Sequence, residues 1–190
     1  MKQIILFTGY ARSGKDTASD VLVSQGFTKL AIASKLKELI NVMFNVNCAE
    51  IERLDKQNEP MEELNGLTLR QTKQIIGTEI MQFSLPIYMP KLGRNYHVKQ
   101  LVDYINKSNL KNICISDLRF PHELDYFNKH IINAKITSVR IIRPSLNTNS
   151  EIYKHSSESS IDDIETDIIV YNEDINKFSE SIMLILTKIK

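Results

Sequence analysis

Nine residues, Gly9 to Thr17 (GYARSGKDT), have the types and spacing to hold phosphate. They follow the apolar run Ile4–Phe7 and lead into the helix-like stretch ASDVLV at Ala18–Val23. A strand, a Gly-containing turn and a helix in that order form a phosphate cradle: the turn brings successive backbone N–H groups together, and the helix N-terminus adds partial positive charge. Lys15 would reach the terminal phosphates of a nucleoside triphosphate. The usual pattern continues G-K-[ST], with the hydroxyl on Mg²⁺. Here Asp16 takes that place and Thr17 follows, so either Thr17 ligates the metal directly or Asp16 holds it through a water. A turn that binds nothing is the bland alternative.

Three further groups could meet a second ligand. Ser34-Lys35-Leu36-Lys37 places two lysines in a helix's first turn behind a candidate Ser34 N-cap. That opposes the helix dipole unless an anion sits among them, although solvated lysines fit as well. Thr68 and Gln71 have capping-box spacing and open a helix over Leu69–Phe83. Leu69, Ile76, Ile80 and Phe83 are its expected core stripe, and Arg70, Lys73, Gln74 and Gly77 share another face. A mid-helix glycine costs about 1 kcal/mol against alanine, so Gly77 marks a close approach by either a ligand or a neighbouring helix. In Ser116–Glu123 (SDLRFPHE), Asp117, Arg119 and Glu123 gather at the carboxyl end of a strand, the place where such sheets bind ligands. They equally suit a structural ion network. Arg140 and Arg143 flank a later strand, and His155 and Glu158 sit in a Ser-rich stretch, YKHSSESSIDD at Tyr153–Asp163, that reads as a loop or mobile lid.

These residues need a scaffold, and the apolar runs supply one. Ile4–Phe7, Leu30–Ala33, Ile113–Ile115, Val139–Ile142 and Ile168–Val170 read as buried strands. Helical periodicity fills Lys15–Ser24, Lys35–Phe44, Leu69–Phe83, Val98–Lys107, Pro121–His130 and Ile175–Ile189. Alternation of the two predicts an α/β fold, a five-stranded mainly parallel sheet with helices on both faces. Asn45–Gly66 and Pro86–Gly93 read as loops or partly helical insertions. At 190 residues, a single domain over 1–190 is expected. Its 24 Lys and Arg balance 23 Asp and Glu, a net charge of +1 that argues against a nucleic-acid partner held by a broad basic surface. No run is long enough for a membrane helix, the first strand leaves no room for a signal peptide, and two cysteines make no disulfide framework. A cytoplasmic location is expected, the host's if the source is viral.

Assembled in order, RSGKDT (Arg12–Thr17), LAIASKLK (Leu30–Lys37), LRQTKQIIGTE (Leu69–Glu79), NYHVK (Asn95–Lys99), SDLRFPHELD (Ser116–Asp125), VRIIRP (Val139–Pro144) and TDIIVYNED (Thr166–Asp174) resemble the phage-type deoxynucleoside monophosphate kinases. The resemblance implies a three-layer P-loop kinase fold with a substrate-binding insertion near 45–97 and a lid near 144–163. It implies phosphoryl transfer from Mg·ATP, with ATP and Mg²⁺ as cofactors, small-molecule substrates, and a homodimer as an option. Lys15, Arg12, Asp16 and Arg119 would be catalytic. Gly9, Ser13, Gly14, Lys15, Asp16, Thr17, Ala18 and Arg143 would bind ATP, with Thr17 and Asp16 toward the metal. Arg12, Leu36, Lys37, Arg70, Gln71, Gly77, His97, Asp117, Arg119 and Glu123 would line the monophosphate site. Gln71 stands where a second arginine is expected, His97 where tryptophan is usual, and the insertion is short. Rival readings are a phosphomevalonate-kinase-like enzyme, a regulatory nucleotide-binding module and, more weakly, a polynucleotide kinase.

Overall fold

The computed structural model describes residues 1–148 and 155–189, with side chains left out at 176, 188 and 189. The chain divides into two compact units, residues 1–32 with 101–190, and residues 33–100. The insertion expected at 45–97 lies inside the second unit, which also takes in the preceding helix.

The first unit is built on five parallel strands in the order β2-β3-β1-β4-β5. These are β1 (Lys2–Thr8), β2 (Thr28–Leu30), β3 (Asn112–Ile115), β4 (Ala134–Ile142) and β5 (Ile168–Tyr171). β2 ends where the sequence places its start, since the expected run Leu30–Ala33 is mostly turn. β1 is central: Gln3 to Leu6 pair with Asn112 to Ile115, and Lys2 to Thr8 pair with Ala134 to Arg140. Parallel strands need crossovers and burial on both faces, which explains the unbroken IILF of β1. All four of those side chains are fully buried. Alternation sends Ile5 and Phe7 to one face, where they join Ala18 and Leu22 of α1 (Lys15–Ser24) and Phe178, Ile182 and Ile185 of α9 (Ile175–Ile189) in one core cluster. Ile4 and Leu6 take the other face. The unit also buries Phe127 of α7 (Pro121–His130), a helix that packs on β4, and Leu101, Val102 and Ile105 of α6 (Tyr96–Lys107).

The second unit has its own core of Leu36, Ile40, Cys48, Ile51, Leu64, Leu69 and Ile76. It contains α2 (Ser34–Phe44), α3 (Cys48–Arg53), α4 (Leu69–Gln74), a π-helix over Ile75–Ser84 and α5 (Leu85–Tyr88). Ser34 is the first helical residue of α2 rather than its cap, and Ala33 holds the cap position with no side-chain bond. The Thr68–Gln71 capping box forms as expected. The single helix expected at Leu69–Phe83 changes winding after Gln74. A π-turn holds more than 3.6 residues, so the apolar stripe drifts: Leu69 and Ile76 are buried while Ile80 and Phe83 are exposed.

Candidate active site

The turn between β1 and α1 is tightly folded. Gly14 is the N-cap of α1 at φ 110°, and a Cβ there would fall 2.4 Å from Asn172 Nδ2. At Gly9, φ is 137° and a Cβ would fall 2.4 Å from the Ile141 carbonyl oxygen. Both positions demand glycine for conformation and for space. Arg12 is left-handed as well, at φ 66°, without being glycine. Such strain, on the order of 1–2 kcal/mol, persists where the surroundings impose it, as at ligand-binding turns. The first-turn amides of α1 have no intrahelical partners, as at any helix start, and point with the dipole toward an incoming anion.

Lys15 opens α1 and is buried, with Nζ donating to the carbonyls of Gly9 at 2.6 Å and Tyr10 at 2.7 Å. Burial, then the nearby Arg119 guanidinium, pulls its pKa down to about 7, against the opposing pull of Glu158, Asp16 and Asp117. An ammonium so placed gains from a phosphate beside it. Asp16 accepts from Ser116 Oγ at 2.9 Å and pairs with Lys29 at 3.1 Å. Partial burial would raise its pKa, but these partners and Lys15 hold it below the usual carboxylate value. Ser13 is buried, and its Oγ has no hydrogen-bond partner among the described residues.

A cavity of about 450 Å³ opens here, lined by Arg12, Gly14, Lys15, Asp16, Thr17 and Arg143, all expected from the sequence, and by Asn172, Glu173 and Ile175, which were not. That volume suits a nucleotide-sized ligand. Asn172 follows β5 and donates to the Ser13 carbonyl at 2.8 Å, bracing the turn from below. The motif TDIIVYNED carried the segment but not this contact. Arg143 donates to Ser145 Oγ at 3.3 Å and reaches the Arg12 carbonyl at 3.5 Å. Ala18 is core: its side chain is fully buried against the sheet and its N–H bonds Gly14 O within the helix. Arg140, weighed beside Arg143, is engaged with Asp162.

The strand-end group of the first unit is also built into the fold. Asp117 accepts from the Ile32 N–H at 2.9 Å. Glu123 is buried and accepts from the N–H groups of Arg119 at 2.9 Å and Phe120 at 3.1 Å, fastening the start of α7. Burial pushes its carboxyl up to about 8 despite those amides. Arg119 is anchored by Glu158, a residue of α8 (Ser156–Ser159). The stretch read as a loop or lid is therefore helical from Ser156, continuing as a 3₁₀ turn over Ser160–Asp163 with Ile161 fully buried. Residues 149–154 of the expected lid lie outside the described residues.

Six expected monophosphate-site residues lie in the second unit. Lys37 and Lys73 bond the two oxygens of Glu52, each at 2.6 Å, so a carboxylate offsets the first-turn lysine. Arg70 donates to Asn58 Oδ1 at 3.1 Å. Gln71 completes the capping box, accepting from the Thr68 N–H at 2.9 Å. Leu36 is a core residue, and a Cβ at Gly77 would fall 2.5 Å from its Cδ2, so Gly77 is a packing glycine. His97 is buried with its ring edge-on to Tyr96, 5.4 Å between centroids.

A family profile described as deoxynucleotide monophosphate kinase matches residues 44–182. A protein of Acanthamoeba polyphaga mimivirus, provisionally named a deoxynucleotide monophosphate kinase, is 28% identical over 188 residues, covering 95% of this chain and 94% of that one. In fold the chain resembles TT1252 of Thermus thermophilus, with a TM-score of 0.54 at 13% identity over 100% of this chain and 98% of the other. It also resembles an unliganded sugar kinase of Janibacter sp., with a TM-score of 0.51 at 9% identity over 98% and 95%.

Proposed function

The chain belongs to the deoxynucleotide monophosphate kinase family, and we propose on that premise that it moves the terminal phosphoryl group of ATP to a deoxynucleoside monophosphate. The products are the diphosphate and ADP, as DNA precursor synthesis requires. The observation that carries this reading is the 450 Å³ cavity with buried Lys15 at its wall and Arg12 and Arg143 beside it. Three cations and a row of helix-start amides suit a triphosphate, whose charge they offset as it redistributes during transfer.

Asp16 and Thr17 line the same cavity and offer hard oxygen donors, the kind that Mg²⁺ takes, so the residues present fit that ion. When bound, magnesium neutralises phosphate charge. Asp16 is already bonded to Lys29 and Ser116, which favours Thr17 as the direct ligand. Lys15 would leave the carbonyls of Gly9 and Tyr10 for the terminal phosphates. Arg119 would hold a phosphate oxygen of the transferring or accepting group. No general base is needed, because a monophosphate oxygen is anionic at neutral pH and attacks directly.

No helix among the described residues is long and apolar enough to cross a membrane. A cytoplasmic enzyme acting on small molecules, with no nucleic-acid partner, is the matching setting.

The test is ADP release from Mg·ATP with each deoxynucleoside monophosphate, each ribonucleotide and phosphomevalonate as separate acceptors. Deoxynucleotide-stimulated turnover is expected. Turnover with phosphomevalonate alone, or ATP binding without acceptor-stimulated turnover, overturns the proposal.

A further inference from the structure

We infer that Glu158 is a positioning residue that ties the phosphate-binding turn to Arg119 and so sets the place of the guanidinium. The inference rests on the reading above that Arg119 touches phosphate. Glu158 is 1% exposed, and its two oxygens serve two different elements. Oε2 accepts from the Ala11 N–H of the turn at 2.9 Å, and Oε1 accepts from Arg119 Nη1. The neighbouring Ser157 carbonyl accepts from the same guanidinium nitrogen at 3.4 Å.

Burying a carboxylate costs several kcal/mol unless it is paired, so its partners have to explain its presence. Local helix formation does not call for it. α8 is capped by His155, whose Nδ1 accepts from the Ser157 N–H at 3.1 Å. Four residues further on, Asp162 accepts from Tyr10 OH and pairs with Arg140. The segment therefore grips the turn at two adjacent residues, Tyr10 and Ala11. Asp162 reaches only the turn and β4 among these contacts, whereas Glu158 also reaches Arg119, which is 27% exposed at its side chain and so keeps donors for a ligand. A residue that fixes a guanidinium relative to the triphosphate turn supplies orientation, and loss of orientation of this kind costs up to about a hundredfold in rate.

The experiment is a double-mutant cycle in steady-state kinetics. Glu158→Gln keeps an oxygen for the Ala11 N–H and removes the charge on Arg119. It is expected to lower kcat/KM for the acceptor about tenfold to a hundredfold, with a melting temperature close to the parent's. Arg119→Gln should lower it at least as much, and adding Glu158→Gln to Arg119→Gln should cost nothing further. Losses that multiply, or an unchanged Glu158→Gln enzyme, overturn the inference while leaving the role of Arg119 standing. An unchanged Arg119→Gln enzyme overturns that role and the inference with it. Should Glu158→Gln fail to fold, Glu158→Asp, which keeps the charge and shortens the reach, enters the same cycle with the same expected outcome.

Discussion

Lys15 titrates at about 7 in the free protein because burial strips water from its ammonium and Arg119 adds a like charge. A bound phosphate supplies the missing counter-charge and raises that pKa. Binding therefore takes up a proton between about pH 7 and the raised value, and affinity falls as pH climbs through that window. Below the free pKa the lysine is already charged in both states, so no uptake remains. Calorimetric titration of ATP in buffers of different ionisation enthalpy should show uptake at pH 8 and none at pH 6, and Lys15→Ala should remove the difference. Asn172 offers a second test. Asn172→Ala deletes the bond to the Ser13 carbonyl, worth about 1 kcal/mol, and should raise the KM for ATP roughly fivefold while leaving acceptor KM unchanged. Lys15, Gly14 and Thr17 were legible because their spacing is local. Asn172 was not, because the residue it braces lies 159 positions away. Glu158 was singled out within a Ser-rich stretch that suits a loop, but its bond to Arg119, 39 positions away, was not legible.

Among the elements, the strands were legible wherever apolar residues ran unbroken, as in β1, β3 and β5. Their ends were not: β4 begins at Ala134, five residues ahead of the Val139 expected. α2 misled through chemistry, since Ser34 has the right side chain for a cap one position late. The π-helix after Gln74 was beyond a 3.6-residue count, which is why Ile80 and Phe83 were assigned inward and lie exposed. Gly77 within it can be tested. Alanine gains up to about 1 kcal/mol in helix propensity. Its methyl would meet Leu36, a buried member of the second unit's core, and displacing such a side chain costs about 1–3 kcal/mol. Gly77→Ala should therefore destabilise the protein by about 1 kcal/mol net, read as a shift in urea midpoint at unchanged slope.

For the molecule as a whole, 24 basic against 23 acidic residues leave a net charge of +1. Little self-repulsion keeps copies apart near neutrality, so solubility should pass through a minimum between about pH 7 and 8 and rise on either side. Precipitation titrations with ammonium sulfate across that range check this. The sheet carries a different consequence, in time rather than in space. β1 leaves the ribosome ahead of the other strands, yet its partners are Asn112–Ile115 and Ala134–Arg140. At roughly 5–20 residues per second, Ile4–Phe7 wait roughly 5–20 s for β3. Residues 33–100, with a core of their own, are complete within that interval. The nascent chain thus grows through that interval with its central strand unclaimed, and the enzyme's yield in a cell depends on whatever shelters those four side chains until the centre of the sheet can close.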